Sequence, residues 1–497
     1  MKYRVIAPTL LLLLSSTSLS IAAATAEEAA SIKASIQAYV GNEPGVVEVT
    51  PDGDDYEVTL DVMPYIKKNA KPDFTATFDP MTITLSPGDE DGTWDVSSSG
   101  PYAFSMSAGD QFNTSGKIEN FDWQGTFDEA LGAMSESTTT AKGITFSSKI
   151  NQPELNMKTA VEYSIGSVES KSKATEAGEG LADSESTIGF ADIKVSSKSE
   201  VPAGAAASGP SLDYDASVAK GSYVTTMKSA NLAGLLDLVA WLVAHPKEEL
   251  IKQDQAALKE KILAALPVFA NLTSTSTFET LKVNTALGTF AAELGGSSIA
   301  LNGVVKDGKF GEGINLSGIS IPPGLAPPWA ADLVPTSMKL DFAVSGFDVE
   351  APVRLAIGAM DLTKDPVLPA EVESQMQPAF TPTNTVIVTM NPGEIVSPVY
   401  TLSYEGALTV NLAGLPTGKA TIRLRGADAL MAKLSAAGED PMAKQAVPML
   451  VAAKGFGKAE ADGSIVWVIE GTTAGAVTIN GLDMSSMLGT PPAAPAQ

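Results

Sequence analysis

The chain has 497 residues, 58 acidic against 33 basic, for a formal net charge of −25. One histidine and no cysteine exclude cysteine nucleophiles, disulfide frameworks, thiolate metal sites and multi-histidine metal centres. The acidity, with arginine confined to Arg4, Arg354, Arg423 and Arg425, argues against nucleic acid as a partner.

The N-terminus has the three-part layout of a secretory signal. Lys2 and Arg4 are basic, Leu10 to Leu14 begin an apolar core, and Ala24-Thr25-Ala26 offers small residues before Glu27. Residues 1–26 are therefore expected to be a cleaved signal peptide, cut between Ala26 and Glu27. An uncleaved membrane anchor fits less well, because the apolar run is shorter than the roughly 20 residues a spanning helix needs. Without cysteine there is no lipoprotein anchor, and cleavage leaves no transmembrane segment. An exported chain without disulfides, behind this signal, points to a bacterial periplasm.

Beyond the signal, most of the chain alternates as β-structure does. In chain order, strands are expected at 48–50, 56–62, 81–85, 94–97, 102–106, 157–165, 188–195, 277–284, 298–305, 337–349, 385–390 and 400–412. Residues 166–220, rich in Ser, Ala, Lys and Glu, read as solvated edge strands or a loosely packed insertion. Asp-Gly recurs at Asp52, Asp91, Asp307 and Asp462, where hairpin turns account for it better than calcium does.

Two segments break the pattern. Asn231 to His245 is apolar nearly all round and is expected to be a deeply packed helix, too short to span a membrane. Pro246 opens a second helix, with Ile251, Leu258, Ile262 and Leu266 as its buried stripe, and Pro267 ends it. A second helix pair runs from Asp428 to about Lys454, broken near Gly438 and Pro441. Asn231 and Asp428 both suit an N-cap. The shared layout admits either a tandem duplication or two unrelated helix hairpins. The expected fold is mainly β with α: long antiparallel curved sheets closed by two helix-pair elements. Its units are 27–270 and 271–489, with a rigid extended connection or crossing loop at the Pro-rich run 321–329 and a disordered Pro/Ala tail at 490–497.

The search for chemistry returns little. His245 ends an apolar helix, where interaction with terminal carbonyls is the plainer reading. There is no Gly-x-Ser-x-Gly elbow, no phosphate loop and no cofactor motif. Ser170 and Lys173 match Ser-x-x-Lys inside a Ser/Lys-rich stretch. Arg423 and Arg425 alternate on a strand and share one face, so they would meet an anionic ligand or pair with carboxylates.

Gly414-Leu415-Pro416-x-Gly418, then Arg425-Gly426-Ala427-Asp428-Ala429-Leu430, then Gly463, Trp467-x-Ile469-Glu470, Gly475 and Asn480-Gly481 occur in that order. This C-terminal set resembles the exported bacterial family "domain of unknown function 2125", found mainly in alphaproteobacteria. Length, signal and β-rich body resemble the same family, which has no established activity or catalytic residues, so the resemblance carries no chemistry over. A more distant architectural likeness is to AsmA-like envelope proteins, associated with lipid homeostasis. The expectation is a non-enzymatic periplasmic protein, without cofactor, that binds a lipid or other apolar ligand. A structural envelope protein with a protein partner, and a carboxylate-dependent hydrolase, are the alternatives. An outer-membrane barrel fits poorly, since aromatic residues are 6% and such barrels need aromatic girdles.

Overall fold

The computed structural model describes residues 23–152, 157–178, 180–200, 213–412, 414–472 and 476–484. The chain is mainly β with α, its strands joined in long antiparallel ladders. It divides into two compact units: residues up to Asn271 with Met360–Val367, and Leu272–Ala359 with Leu368 onward.

In the first unit, α1 (Ala26–Val40) leads to the hairpin of β1 (Val47–Asp52) and β2 (Asp55–Leu60). Then come α2 (Met63–Asn69), β3 (Phe74–Phe78) and β4 (Met81–Pro87). Six long strands follow: β5 (Thr93–Ala108), β6 (Phe112–Asp128), β7 (Ala133–Gln152), β8 (Met157–Gly178), β9 (Leu181–Glu200) and β10 (Tyr214–Ala230). From β5 to β10 each strand pairs with the next, while β3 and β4 both pair with β5 and β2 pairs with β4. Helices α3 (Leu232–Ala244), α4 (Glu248–Gln253) and α5 (Gln255–Ala264) complete the unit.

The β1–β2 turn shows how locally the fold is specified. Asp52 pairs with Asp55, leaving Gly53 and Asp54 as a two-residue loop. Of these, Gly53 alone takes positive φ (67°), the arrangement of a hairpin with glycine first rather than one with both residues left-handed.

The core of this unit lies where α1 crosses the sheet. Ala29 and Ile32, with Ile36 a turn further on, meet Tyr56, Val58, Ile83, Leu85, Trp94, Val96 and Phe127. Trp94 meets Tyr56 edge-on at 6.1 Å, and its indole N–H donates to Glu129 Oε1 at 2.9 Å, so its one polar group is satisfied.

The described residues within 166–220 are neither edge strands nor a loose insertion, since β8 and β9 are interior strands paired on both sides along nearly their whole length. Ser and Thr serve there because a pleated ladder is held first by its backbone bonds. Helix α3 is not deeply packed: Leu236 is buried, whereas Val239 is 42% exposed. Its apolar perimeter exceeds what α1, α5 and β9 cover.

The second unit begins with β11 (Asn271–Thr285), β12 (Gly288–Asn302), β13 (Gly308–Ser317) and β14 (Ser337–Phe347), then α6 (Glu350–Ala359) and α7 (Ala370–Phe380). It continues with β15 (Thr385–Val396), β16 (Thr401–Asn411), β17 (Thr417–Arg425), α8 (Ala427–Ala436) and α9 (Pro441–Phe456). Four short strands end it: β18 (Lys458–Ala459), β19 (Ile465–Gly471), β20 (Val477–Ile479) and β21 (Leu482–Asp483). Strands β12 to β17 pair consecutively, and β19 lies beside β17.

The helix pairs number more than the two expected. Helices α6 and α7 pack together as a further pair, with Phe347 at the end of β14 stacked on Phe380 at 5.1 Å. Asn231 caps α3 as expected, accepting from Gly234 N. Asp428 is no cap: Gly426 (φ 81°) holds that position, and Asp428 sits in the first turn of α8, ion-paired to Lys454. The cap likeness that suggested a duplication is therefore absent from the second pair. The Pro-rich connection before β14 is fastened to α9, since Trp329 Nε1 donates to Asp440 Oδ2 at 3.3 Å.

Helix α1 depends on the residues just before it. Thr25 caps it by accepting from Glu28 N, Thr25 N donates to the Tyr56 hydroxyl at 3.2 Å, and Ala24 N donates to Gly53 O at 3.1 Å. The Ala26–Glu27 bond thus lies within the helix. A chain starting at Glu27 should be less stable than one starting at Ala23 by about 1–2 kcal/mol, the usual worth of a cap with its adjoining contacts. Urea unfolding of the two forms checks this.

Candidate functional site: an exposed apolar sheet face

Because side chains alternate along a strand, the register of the second ladder sorts its residues into two faces. One carries Lys309, Lys339, Asp341, Glu394, Glu405, Lys419, Arg423 and Arg425. The other carries Ile299 and Leu301 on β12, Phe310, Glu312 and Ile314 on β13, and Leu340, Phe342 and Val344 on β14. It continues through Val388 and Met390 on β15 to Tyr404 and Leu408 on β16.

Helices cover only part of that apolar face. Around β16, β17 and β19, α8 and α9 bury Leu424 and Ile465 with Leu402, Leu430, Leu450 and Trp467. Over β12 to β14 the cover ends: Phe310 is 43% exposed, Phe342 41%, and Ile299 and Ile314 each 38%. Three strands at about 4.8 Å spacing, by about 20 Å of strand length, give a surface of roughly 300 Å². Exposed apolar patches of a few hundred Å² mark interaction sites in soluble proteins.

Aromatic rings give this face its relief. Phe342 and Tyr404 stack at 5.6 Å and 12°, bridging over β15 between them. Gly393 makes that possible, since a Cβ there would come 2.2 Å from the Tyr404 ring. Phe278 likewise lies over Gly295, where a Cβ would come within 2.1 Å of it.

The first unit has an apolar face of the same kind. Phe78, Phe104, Phe146 and Tyr163 form a run of ring contacts at 5.4, 6.4 and 5.8 Å, with Gly116 giving room beside Phe104. Tyr163, Tyr223 and Ile150 on that ladder are exposed. Its opposite, polar face holds an open groove of about 540 Å³ whose lining includes Asp95, Gln124, Glu136, Lys171 and Lys173. Within it Asp95 accepts from Thr126 Oγ1 at 3.0 Å, and Glu136 stands opposite Lys173 in the register.

The residues singled out from sequence take structural places. Arg423 and Arg425 share the polar face: Arg423 Nη1 binds Glu460 at 2.6 Å and Ser464 Oγ at 2.8 Å, and Arg425 Nη2 binds Asp462 at 3.2 Å. The Glu460 hydrogen bond raises the Arg423 pKa further above its ordinary value. His245 Nδ1 lies 2.8 Å from Trp241 O, and its ring stacks on Trp241 at 3.9 Å, with Asp254 3.6 Å from Nε2. Ser170 and Lys173 project from opposite faces of β8, so their motif brings nothing together. The turn at Asp89 to Asp95 is closed by backbone bonds between Gly88 and Thr93 and between Thr93 and Glu90. No group of three or more His, Asp or Glu suited to a metal occurs among the described residues.

No protein-family model, curated protein or solved structure matches the chain. Fold and faces alone define a two-faced antiparallel β protein whose apolar side is partly uncovered. The open patch was half visible in the sequence: Ser298–Val305 and Ser337–Val349 read as strands, but the glycines of β13 hid Phe310, Glu312 and Ile314 between them.

The polar face carries a measurable pH signature. Hydrogen bonds from the Ser464 hydroxyl and amide, with Arg425 beside them, hold the Asp462 carboxyl down at about 2 instead of 3.8. A lowered folded pKa contributes stability above the ordinary value, and this is lost as pH falls from about 4 towards 2. Asp462→Asn should therefore flatten that part of the stability profile, measured as urea midpoints against pH.

Proposed function

We propose that this is a non-enzymatic exported protein that holds an apolar ligand, the acyl chain of a lipid, on the open face of β12 to β14. The observation that carries this reading is the uncovered patch around Phe310, Phe342, Ile299 and Ile314. The N-terminal layout and the lack of cysteine support export to a periplasm. No helix among the described residues is long and apolar enough to cross a membrane. The resemblance to domain of unknown function 2125 adds an exported setting and no chemistry.

Magnitudes favour a long chain. Each buried methylene contributes about 0.8 kcal/mol, so about 14 of them give on the order of 11 kcal/mol gross. Association costs roughly 4–15 kcal/mol, so a short chain would gain too little to be retained.

Lipids extracted from natively purified protein should include an acyl lipid near one per chain by mass spectrometry. Phe342→Glu should weaken binding of a long-chain fluorescent fatty amide by about tenfold or more, because the chain would then desolvate a carboxylate. Repeated purification without lipid, with a stable protein partner instead, would favour the scaffold alternative.

A further inference from the structure

The open apolar face carries one charge at its centre. Glu312 stands directly opposite Ile299 on β12 and Phe342 on β14, with Phe310 and Ile314 two residues away on the same side of its own strand. Lys309 and Lys339, the nearest cations in the register, project from the other face. Among the described residues Glu312 has no ion pair or side-chain hydrogen bond. A chain laid across this patch takes water from an unpaired carboxylate, a penalty that cancels the gain from several methylenes. The ligand must therefore answer that charge.

Two further features fix the sign and type of the answer. Phe342, whose ring stacks on Tyr404, and Phe310 are exposed aromatic groups beside the carboxylate, and aromatic faces attract cations. The net charge of −25 favours cationic amphiphiles in approach and disfavours anionic ones. We propose that the ligand is a cationic amphiphile: a long-chain molecule whose ammonium or guanidinium group pairs with Glu312 while its chain lies along Phe310, Phe342 and Ile314. This rests on the apolar-ligand reading above and names the headgroup class. It makes Glu312 the residue that separates amine-bearing lipids from fatty acids and phosphatidic headgroups.

Binding of dodecyltrimethylammonium, dodecanoate and uncharged dodecyl maltoside to the full chain, each below its micelle concentration, tests this by calorimetry. The ammonium probe should bind at least about tenfold more tightly than dodecanoate, with the maltoside between them. In Glu312→Gln the gap between the charged probes should shrink to about threefold or less. An unchanged circular dichroism spectrum and urea midpoint would show that this surface substitution leaves the fold intact. Equal or tighter binding of dodecanoate, or a gap that survives Glu312→Gln, overturns the headgroup assignment and leaves apolar binding standing. Failure of all three probes overturns the apolar-ligand reading with it.

Discussion

The constraint behind the rest of the structure is the two-residue period of a paired strand. Once a register such as Phe310 opposite Val344 and Met338 opposite Ile395 is set, every side chain in the ladder is assigned to a face. In the second unit that assignment gathers most of the large apolar residues on one face and most of the charged ones on the other. A sheet with one greasy side needs a second layer. The helices supply it in places: α1 over Tyr56, Leu85 and Trp94, and α8 with α9 over Leu424 and Ile465. The strands run on beyond their cover, and the candidate site is what they leave open.

Helix placement follows from connectivity. Helix α6 leaves β14 at Phe347, whereas α8 leaves β17 at Arg425, which the register aligns through Thr401 and Val396 with Ser337 at the other end of β14. The two pairs therefore depart from opposite ends of the strands, and the middle of β12 to β14 lies clear of the buried α8–α9 cluster. Ion pairs such as Arg423–Glu460 and Lys419–Glu470 occupy the polar face, where their surface setting makes them modest contributors.

Much of this fold could be read from residues alone. Strands such as β2, β4, β14 and β16 alternate strongly, and Asn231 marks the start of α3 without ambiguity. Strands β7 to β10 were harder, since Ser, Thr and Lys fill both faces over long stretches and periodicity fades where neither face is greasy. Helix α1 was obscured because its first residue, Ala26, also fits the small-residue pattern of a cleavage site. Helices α6 and α7 are short, with Pro352 in the first turn of α6 and Pro378 inside α7, which hide their turns. For the site, the apolar residues themselves were legible on β12 and β14. Their exposure was not, because it depends on where distant helices stop, and no local pattern encodes that.

A photoreactive long-chain alkylammonium probe, crosslinked to the full chain and mapped by peptide mass spectrometry, reports where on the chain the ligand lies. Labels should concentrate on β12, β13 and β14, around Ile299, Phe310 and Phe342, and be competed away by unlabelled probe. Labels confined to α9, to the polar groove near Asp95, or scattered without saturation would contradict binding at that face.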